Sequence, residues 1–417
     1  MRLIRLPRHV WILSIASLLA DISAEMIHAV LPIFVLSSLA GGVFTIGAIE
    51  GVAAATIAIT RVFSGGLSDY IGMQKGLAVI GYGISAIMRP ILAISATPLW
   101  VIMTQFGDRF GQGISVAPRK ALMADITSDE LRSQAYRLRQ SLLTAGACVG
   151  STLAGLILFF SKDDFRLVFS GAMIPSCMAL ALLIIVVKPV QKRQRLLMMP
   201  AEMTGLLAGG DEYDNRSPQV RDPSEPLFSP IYWRDIPWLG EEFWLLLVVA
   251  IFFNLGNSSD AFLILRSIEI GITPALVPIG LVIMNLVFAL ASYPLSAIVD
   301  RVLKVRILLA GFLLHAIIYF GLAVAYNSFQ LWCLFALYGL HLAMIQGLLI
   351  DLVDRAVEPT RRGTALSIFN LAIGGTLLVS NLLAGFCWQG VGSGFTFAVG
   401  AFFACIATLI LLLGSEE

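Results

Sequence analysis

What most constrains this chain is a series of twelve apolar stretches, each close to the ~20 residues that a helix needs to cross a hydrocarbon core. They run over residues 10–38, 43–64, 76–96, 99–118, 138–160, 166–187, 243–267, 274–299, 306–326, 329–350, 364–386 and 394–414. One long polar segment interrupts them between the sixth and the seventh. It carries Lys188, Lys192, Arg193 and Arg195, then the run from Gly209 to Arg216, then several prolines. The expected organisation is a six-helix bundle over 1–187, a linker over 188–242 and a second six-helix bundle over 243–417. Composition agrees, with 58% hydrophobic and 13% charged residues, about half the charge a soluble surface carries. That balance excludes a soluble enzyme, a disordered chain and a disulfide scaffold. A net charge of +1 leaves no basic field for nucleic acid. The fold class expected is an all-α membrane protein of twelve transmembrane helices in two pseudo-symmetric bundles, acting as a monomer in the lipid bilayer.

Orientation follows from the basic residues. With the N-terminus inside, all but six of the 28 Lys and Arg fall on the cytoplasmic side, as the positive-inside rule requires. The six are Lys162 and Arg166 in external loops, and Arg61, Arg89, Arg109 and Arg266 within helices. Both termini and the linker are therefore expected in the cytoplasm. Arg2, Arg5 and Arg8 precede the first stretch as in a secretory leader, but its apolar run continues through Pro32 to Leu39. That is too long for a leader, so it is expected to remain as the first helix. The segment Trp233-Arg234-Asp235-Ile236-Pro237-Trp238 suits the membrane interface. Cys148, Cys177, Cys333, Cys387 and Cys405 are scattered in apolar runs and read as packing residues, so no metal site and no cofactor is expected.

The two halves repeat. Asp69-Tyr70-Ile71-Gly72-Met73-Gln74-Lys75 follows the second stretch, and Asp300-Arg301-Val302-Leu303-Lys304-Val305-Arg306 follows the eighth, 231 positions later. Asp125 and Arg132 recur as Asp354 and Arg361 at an offset of 229. Matched loops at nearly one offset argue for duplicated bundles in parallel orientation, with a site between them near the midplane.

Charges inside the apolar stretches mark that site. Asp21, Glu25 and His28 stand at i, i+4 and i+7, within a face about 60° wide and roughly 10 Å long. A charge at the bilayer centre costs about 2.5–3.5 kcal/mol on insertion scales, so this face lines a polar cavity or meets partners. Such acids can load and release protons, and imidazole titrates near neutrality. Proton coupling is accordingly assigned to Asp21, Glu25, His28 and Glu50. Two other readings stay open: a fixed ion-pair network, and carboxylate and imidazole ligands to a metal ion. Arg89 and Arg109 are candidate substrate anchors, with Asp21 or Glu50 as possible partners of Arg109, and Arg89-Pro90 adds a kink. In the second half Asn254, Asn257, Ser258, Ser259 and Asp260 make the seventh helix polar and irregular. Asn254, Asn257 and Asp260 join the substrate-binding set. Arg61 is expected to snorkel, Arg266 to close an outer gate with Glu269, His315 and His341 to make interhelical hydrogen bonds, and Asp351 to lie at the cytoplasmic mouth.

Gly65-Gly66-Leu67-Ser68-Asp69-Tyr70-Ile71-Gly72-Met73-Gln74-Lys75 is similar to the G-x-L-x-D-[RK]-x-G-[RK]-[RK] signature of the major facilitator superfamily, with Tyr70 in place of a basic residue. Arg109-Phe110-Gly111-Gln112-Gly113 is close to its R-x-x-Q-G, and Gly146-x-x-x-Gly150-Ser151-x-x-Ala154-Gly155 resembles the exporters' G-x-x-x-G-P-x-x-G with Ser for Pro. Ala20–Ile27, Ile49-Glu50-Gly51, Asp108–Gly113 with Ala117-Pro118-Arg119, and Gly256–Phe262 resemble a bacterial branch of drug- and siderophore-exporter-like transporters. The resemblance implies gating roles for Gly65, Asp69, Gly72 and Lys75, for Asp300 and Arg301 in the second half, and for Gly146 and Gly150. Asp69 would sit in a loop after the helix end, before a glycine turn. The function implied is secondary transport of a small organic solute across the bacterial cytoplasmic membrane by alternating access, coupled to protons and directed outward. The solute would be a drug, a siderophore or an organic anion. The alternative is import of a metal chelate or metal ion through Asp21, Glu25 and His28. No nucleophile–base pair, H-E-x-x-H or phosphate-cradling loop suggests an enzyme or an ATP-driven pump.

Overall fold

The computed structural model describes residues 6–71, 74–186, 231, 233–299 and 304–414. Within the described residues fifteen α-helices follow one another: α1 (Arg8–His28), α2 (Leu31–Ser38), α3 (Val43–Ile71), α4 (Gln74–Ala93), α5 (Pro98–Asp125), α6 (Asp129–Ser161), α7 (Phe165–Val186), α8 (Glu241–Gly256), α9 (Ala261–Glu269), α10 (Val277–Val299), α11 (Lys304–Val324), α12 (Ser328–Ile345), α13 (Leu348–Arg355), α14 (Arg362–Gly390) and α15 (Ser393–Gly414). A short 3₁₀ segment, Trp233–Trp238, precedes α8. The helices make twelve spanning segments because α1–α2, α8–α9 and α12–α13 are each one span broken into a longer and a shorter piece. Ten segments are long and apolar enough to cross a membrane on their own. The other two are α5, diluted by Asp108, Arg109, Arg119 and Lys120, and α10, whose apolar stretch Val277–Ser292 is shorter.

Local chemistry explains the breaks. Pro32 lies in the first turn of α2, where its missing N–H does no harm. After Gly256, Asn257, Ser258, Ser259 and Asp260 offer the backbone side-chain partners that compete with helix. Between α12 and α13, Gly347 takes φ +84, a left-handed conformation that a side chain would strain.

The duplication shows in the backbone as well. The starts of α4 and α11 lie 230 residues apart, as do those of α5 and α12. Thr97 and Asn327, also 230 apart, cap the same helix end, accepting from Trp100 N (3.3 Å) and Gln330 N (2.9 Å).

Several helices run further than the apolar stretches indicate. α3 continues to Ile71, so Gly65 and Asp69 stand on its last turns and not in a loop. α5 reaches Asp125, and α6 begins at Asp129, nine residues before the expected 138. Hydropathy marks where hydrocarbon ends, whereas a helix can continue through headgroups with its backbone bonds intact. Gly72, Asp300, Arg301, the Asp69 side chain and residues 188–230 of the linker lie outside the described residues. The segment Trp233–Trp238 docks on the start of α14: Arg361 Nη1 donates to Trp238 O at 3.0 Å, with its guanidinium 5.8 Å from the Trp238 ring centre.

The bundles meet along α3 and α14, along α6 and α10, and through the half-helices α2 and α9. Small residues permit the α3–α14 seam: a Cβ on Gly385 would fall 2.9 Å from Phe44 Cα, and one on Gly51 would fall 3.0 Å from Leu378 O. These contacts concentrate in the half of the molecule away from the start of α1 and the end of α15, here the distal half. One apolar cluster there joins both bundles, with Met26, Phe34 and Phe169 from the first and Phe262, Leu281 and Tyr338 from the second. The clusters of the opposite, proximal half stay within one bundle each. There a cleft of about 740 Å³ separates α6 (Gln140, Thr144, Cys148) from α10 and α12–α13 (Phe288, Met344, Asp351). The molecule is closed distally and open proximally.

Candidate functional site

Where the α8–α9 break crosses α1 and α3, acids from both bundles converge. The His28 Nδ1 and Glu25 Oε2 atoms lie 4.0 Å apart on α1. Asp260, at the start of α9, is within electrostatic reach of His28, Glu25 and Glu50. Glu50 on α3 accepts a 2.8 Å hydrogen bond from Ser259 Oγ, and Ser259 N donates to Asn381 Oδ1 on α14 at 2.8 Å. One buried carboxylate of the first bundle is thus bonded to the broken span of the second. Asn257 Oδ1 accepts from Tyr338 OH at 3.3 Å. Asn254 instead donates to its own helix, at Ala250 O (2.8 Å).

Gly146 and Gly150 on α6 form the notch that holds the acidic face of α1. A Cβ on Gly146 would lie 3.0 Å from Leu18 O and 3.2 Å from Asp21 Cβ; one on Gly150 would lie 2.5 Å from Ile22 O and 2.9 Å from Glu25 Cβ. Gly150→Leu is therefore expected to wedge α1 from α6 and to cost about 1–3 kcal/mol. Thermal unfolding of the purified variant checks this.

A second polar region lies inside the first bundle. A cavity of about 200 Å³ is walled by Asp21, Arg61, Tyr82, Arg89, Gln112 and Arg119. Arg89, 2% exposed, has its Nε 3.7 Å from Asp108 Oδ1. Gln112 Nε2 donates to Asp108 Oδ2 at 2.6 Å and its Oε1 accepts from Arg109 Nη1 at 3.2 Å. Arg109 is therefore held by Gln112, and neither Asp21 nor Glu50 is its hydrogen-bond partner. Consecutive helical residues point about 100° apart, so Asp108 turns to Arg89 while Arg109 turns away. Arg119 Nη1 donates to Tyr82 OH at 2.7 Å.

The equivalent place in the second bundle holds two histidines, His315 on α11 and His341 on α12, both fully buried. Their Nδ1 and Nε2 atoms are 3.2 Å apart, and His341 Nδ1 lies 2.8 Å from Gly311 O. With both rings neutral, the carbonyl fixes the proton on His341 Nδ1, so His315 Nδ1 is the donor to His341. The expected interhelical bond is thus between the two histidines themselves.

Arg266 is ion-paired with Glu269 at 2.8 Å, but both sit on α9. Arg266 also reaches Leu322 O, Ala325 O and Ser393 Oγ, tying α9 to its own bundle. At the proximal mouth Lys304 pairs with Asp351, as expected of that face. Lys75 Nζ donates to Ile184 O at 2.9 Å, joining α4 to α7. Among the residues of these networks that the sequence-based site lacks are Asp108, Gln112, Arg119, Ser259 and Asn381. Asp108 had a visible signal, since its spacing to Gln112 is i, i+4 and the buried Arg89 needs an acid.

Residues 13–378 match the Major Facilitator Superfamily. An uncharacterised MFS-type transporter of Methanocaldococcus jannaschii is 28% identical over 414 residues, covering 98% of this chain and 95% of that one. Among solved structures, a POT family transporter in complex with a thioalcohol-conjugated peptide is similar with a TM-score of 0.75 at 13% identity, covering 98% of this chain and 96% of its own. A nucleoside transporter reaches 0.72 at 12%, covering 97% and 99%. A bacterial homologue of the human lysosomal transporter Spinster, in an inward-facing and unoccupied conformation, reaches 0.70 at 14%, covering 98% and 96%. The chain belongs to the major facilitator superfamily: it is a multi-pass membrane protein and a secondary transporter of a small solute, not an enzyme.

Proposed function

We propose that the protein is a proton-coupled exporter of a small organic solute in a bacterial cytoplasmic membrane, with its proximal face in the cytoplasm. The observation that carries the coupling is the convergence of Glu25, His28, Glu50 and Asp260 on the α8–α9 break. Separation of the bundles on the distal side would break the Glu50–Ser259 bond and wet these acids, so their proton affinity changes with conformation. That is the requirement for coupling a proton to alternating access. The Gly146-x-x-x-Gly150 pattern supports export, as does the likeness to the exporter-like branch. Asp21 lines the inner cavity whereas Glu25 and His28 face Asp260 of the second bundle, and this favours proton chemistry over a shared metal site.

In this reading Asp69, Gly65, Gly72 and Lys75, with Asp300 and Arg301, govern the proximal gate. The test uses Glu25→Gln in proteoliposomes with a panel of carboxylates and lipophilic drugs. Solute accumulation driven by a pH gradient is expected to disappear, while solute-for-solute counterflow persists. A Glu25→Gln protein that keeps gradient-driven accumulation would remove Glu25 from the coupling site. Everted vesicles distinguish export from import.

A further inference from the structure

We propose that the cavity inside the first bundle binds an oxoanion, the carboxylate or phosphate group of the transported solute. Only the identification of that anion as cargo rests on the transport reading. Arg61, Arg89 and Arg119 reach this cavity from α3, α4 and α5, and guanidinium keeps its charge when buried. Asp21 on the wall and Asp108 behind Arg89 supply two carboxylates against three guanidinium groups, so positive charge remains in excess.

The hydrogen bonding agrees with the charge. The Nε and Nη1 atoms of Arg89 and the Nε of Arg119 are buried with no hydrogen-bond partner, and an unmet charged donor is costly in such a place. Several other polar groups of the wall are already engaged. Gln112 Nε2 serves Asp108, Tyr82 OH accepts from Arg119, and the Ser85 and Ser115 hydroxyls donate to Asp108 O and Gln112 O. The unmet charged donors, Arg89 Nη1 and Arg119 Nε, are guanidinium N–H, the group whose planar fork matches an oxoanion, and the Tyr82 hydroxyl, which accepts from Arg119, keeps its own proton to donate. A volume of about 200 Å³ holds such a head group and little else, so the remainder of a larger solute would extend toward the space between the bundles.

The probes are inorganic phosphate and benzoate, each added to the purified full-length chain in detergent and compared with sodium chloride at matched ionic strength. Saturable heat in calorimetry and a raised unfolding temperature are expected with at least one of them. Arg119→Gln should weaken that binding about tenfold or more, from one lost charged hydrogen bond, and Arg61→Gln should weaken it as well. Arg166→Gln, in the first turn of α7 on the distal side, should leave it unchanged. Because Arg89→Gln orphans Asp108 and can unfold the bundle, the decision rests on Arg119 and Arg61. No stabilisation beyond chloride would overturn the site. So would binding that survives in both Arg119→Gln and Arg61→Gln. Anion binding by a protein that never accumulates solute under a pH gradient would uphold the site and sink the proposed coupling.

Discussion

Arg89→Ala is expected to lower the unfolding free energy by about 3–5 kcal/mol, the cost of leaving one partner of a buried ion pair alone. Arg89 is 2% exposed and its acid, Asp108, is also buried, so losing the guanidinium leaves a buried carboxylate without its ion-pair partner. The double variant Arg89→Leu with Asp108→Leu should recover most of that loss, since removing both charges abolishes the desolvation term together with the attraction. Chemical unfolding, in one detergent, of the wild type, Arg89→Leu, Asp108→Leu and the double variant forms the test cycle. Equal losses in the single and the double variants would show that the helices α4 and α5 need packing from Arg89 rather than its charge.

The second large effect concerns the balance between the two faces. Glu50→Ala removes the acceptor of the Ser259 Oγ bond that joins the bundles distally. A hydrogen bond to a charged group contributes about 1.5–3 kcal/mol, so the distally open population should rise about tenfold or more. Ala261 is fully buried in the distal cluster beside this bond and becomes reachable only when that side opens. In a protein whose own five cysteines are replaced, Ala261→Cys should be alkylated about tenfold faster with Glu50→Ala than without it. An unchanged rate would mean that the Glu50–Ser259 bond does not hold the distal side shut. Asn381→Ala, which removes the neutral bond from Ser259 N across the bundles and a bond to Leu377 O within α14, should have a smaller effect in the same direction.

The twelve spans and their pairing into repeats were legible because hydropathy and loop offsets are properties of the chain itself. The polar break of the seventh span could also be read from Asn257, Ser258, Ser259 and Asp260, whose side chains compete with helical backbone. Partners could not. Arg109 has acids one and several turns away in other helices, and only the rotation of α5 decides that Asp108 turns to Arg89 while Gln112 takes Arg109. Asn381 is one of three amides in a largely apolar helix, and nothing in its neighbours shows that it meets Ser259 across 122 residues. The late end of α3, which carries Gly65 and Asp69 on helix, was hidden because polarity marks the membrane surface and not the end of hydrogen bonding.

The interruptions after His28 and Gly256 have a mechanical consequence. Beyond them the spans continue only as α2, of eight residues, and α9, of nine, about 12 and 13 Å long. These two stubs touch each other across the bundles and carry Phe34 and Phe262 into the distal plug. A pivot at each break lets such a stub tilt without dragging the rest of its span, because no helical hydrogen bonds cross the gap at full strength. Tilting a 12 Å rod by 20° moves its tip by only about 4 Å, enough to admit water while the larger seams stay shut. The distal door can thus open in two stages, the stubs first and the bundles afterwards.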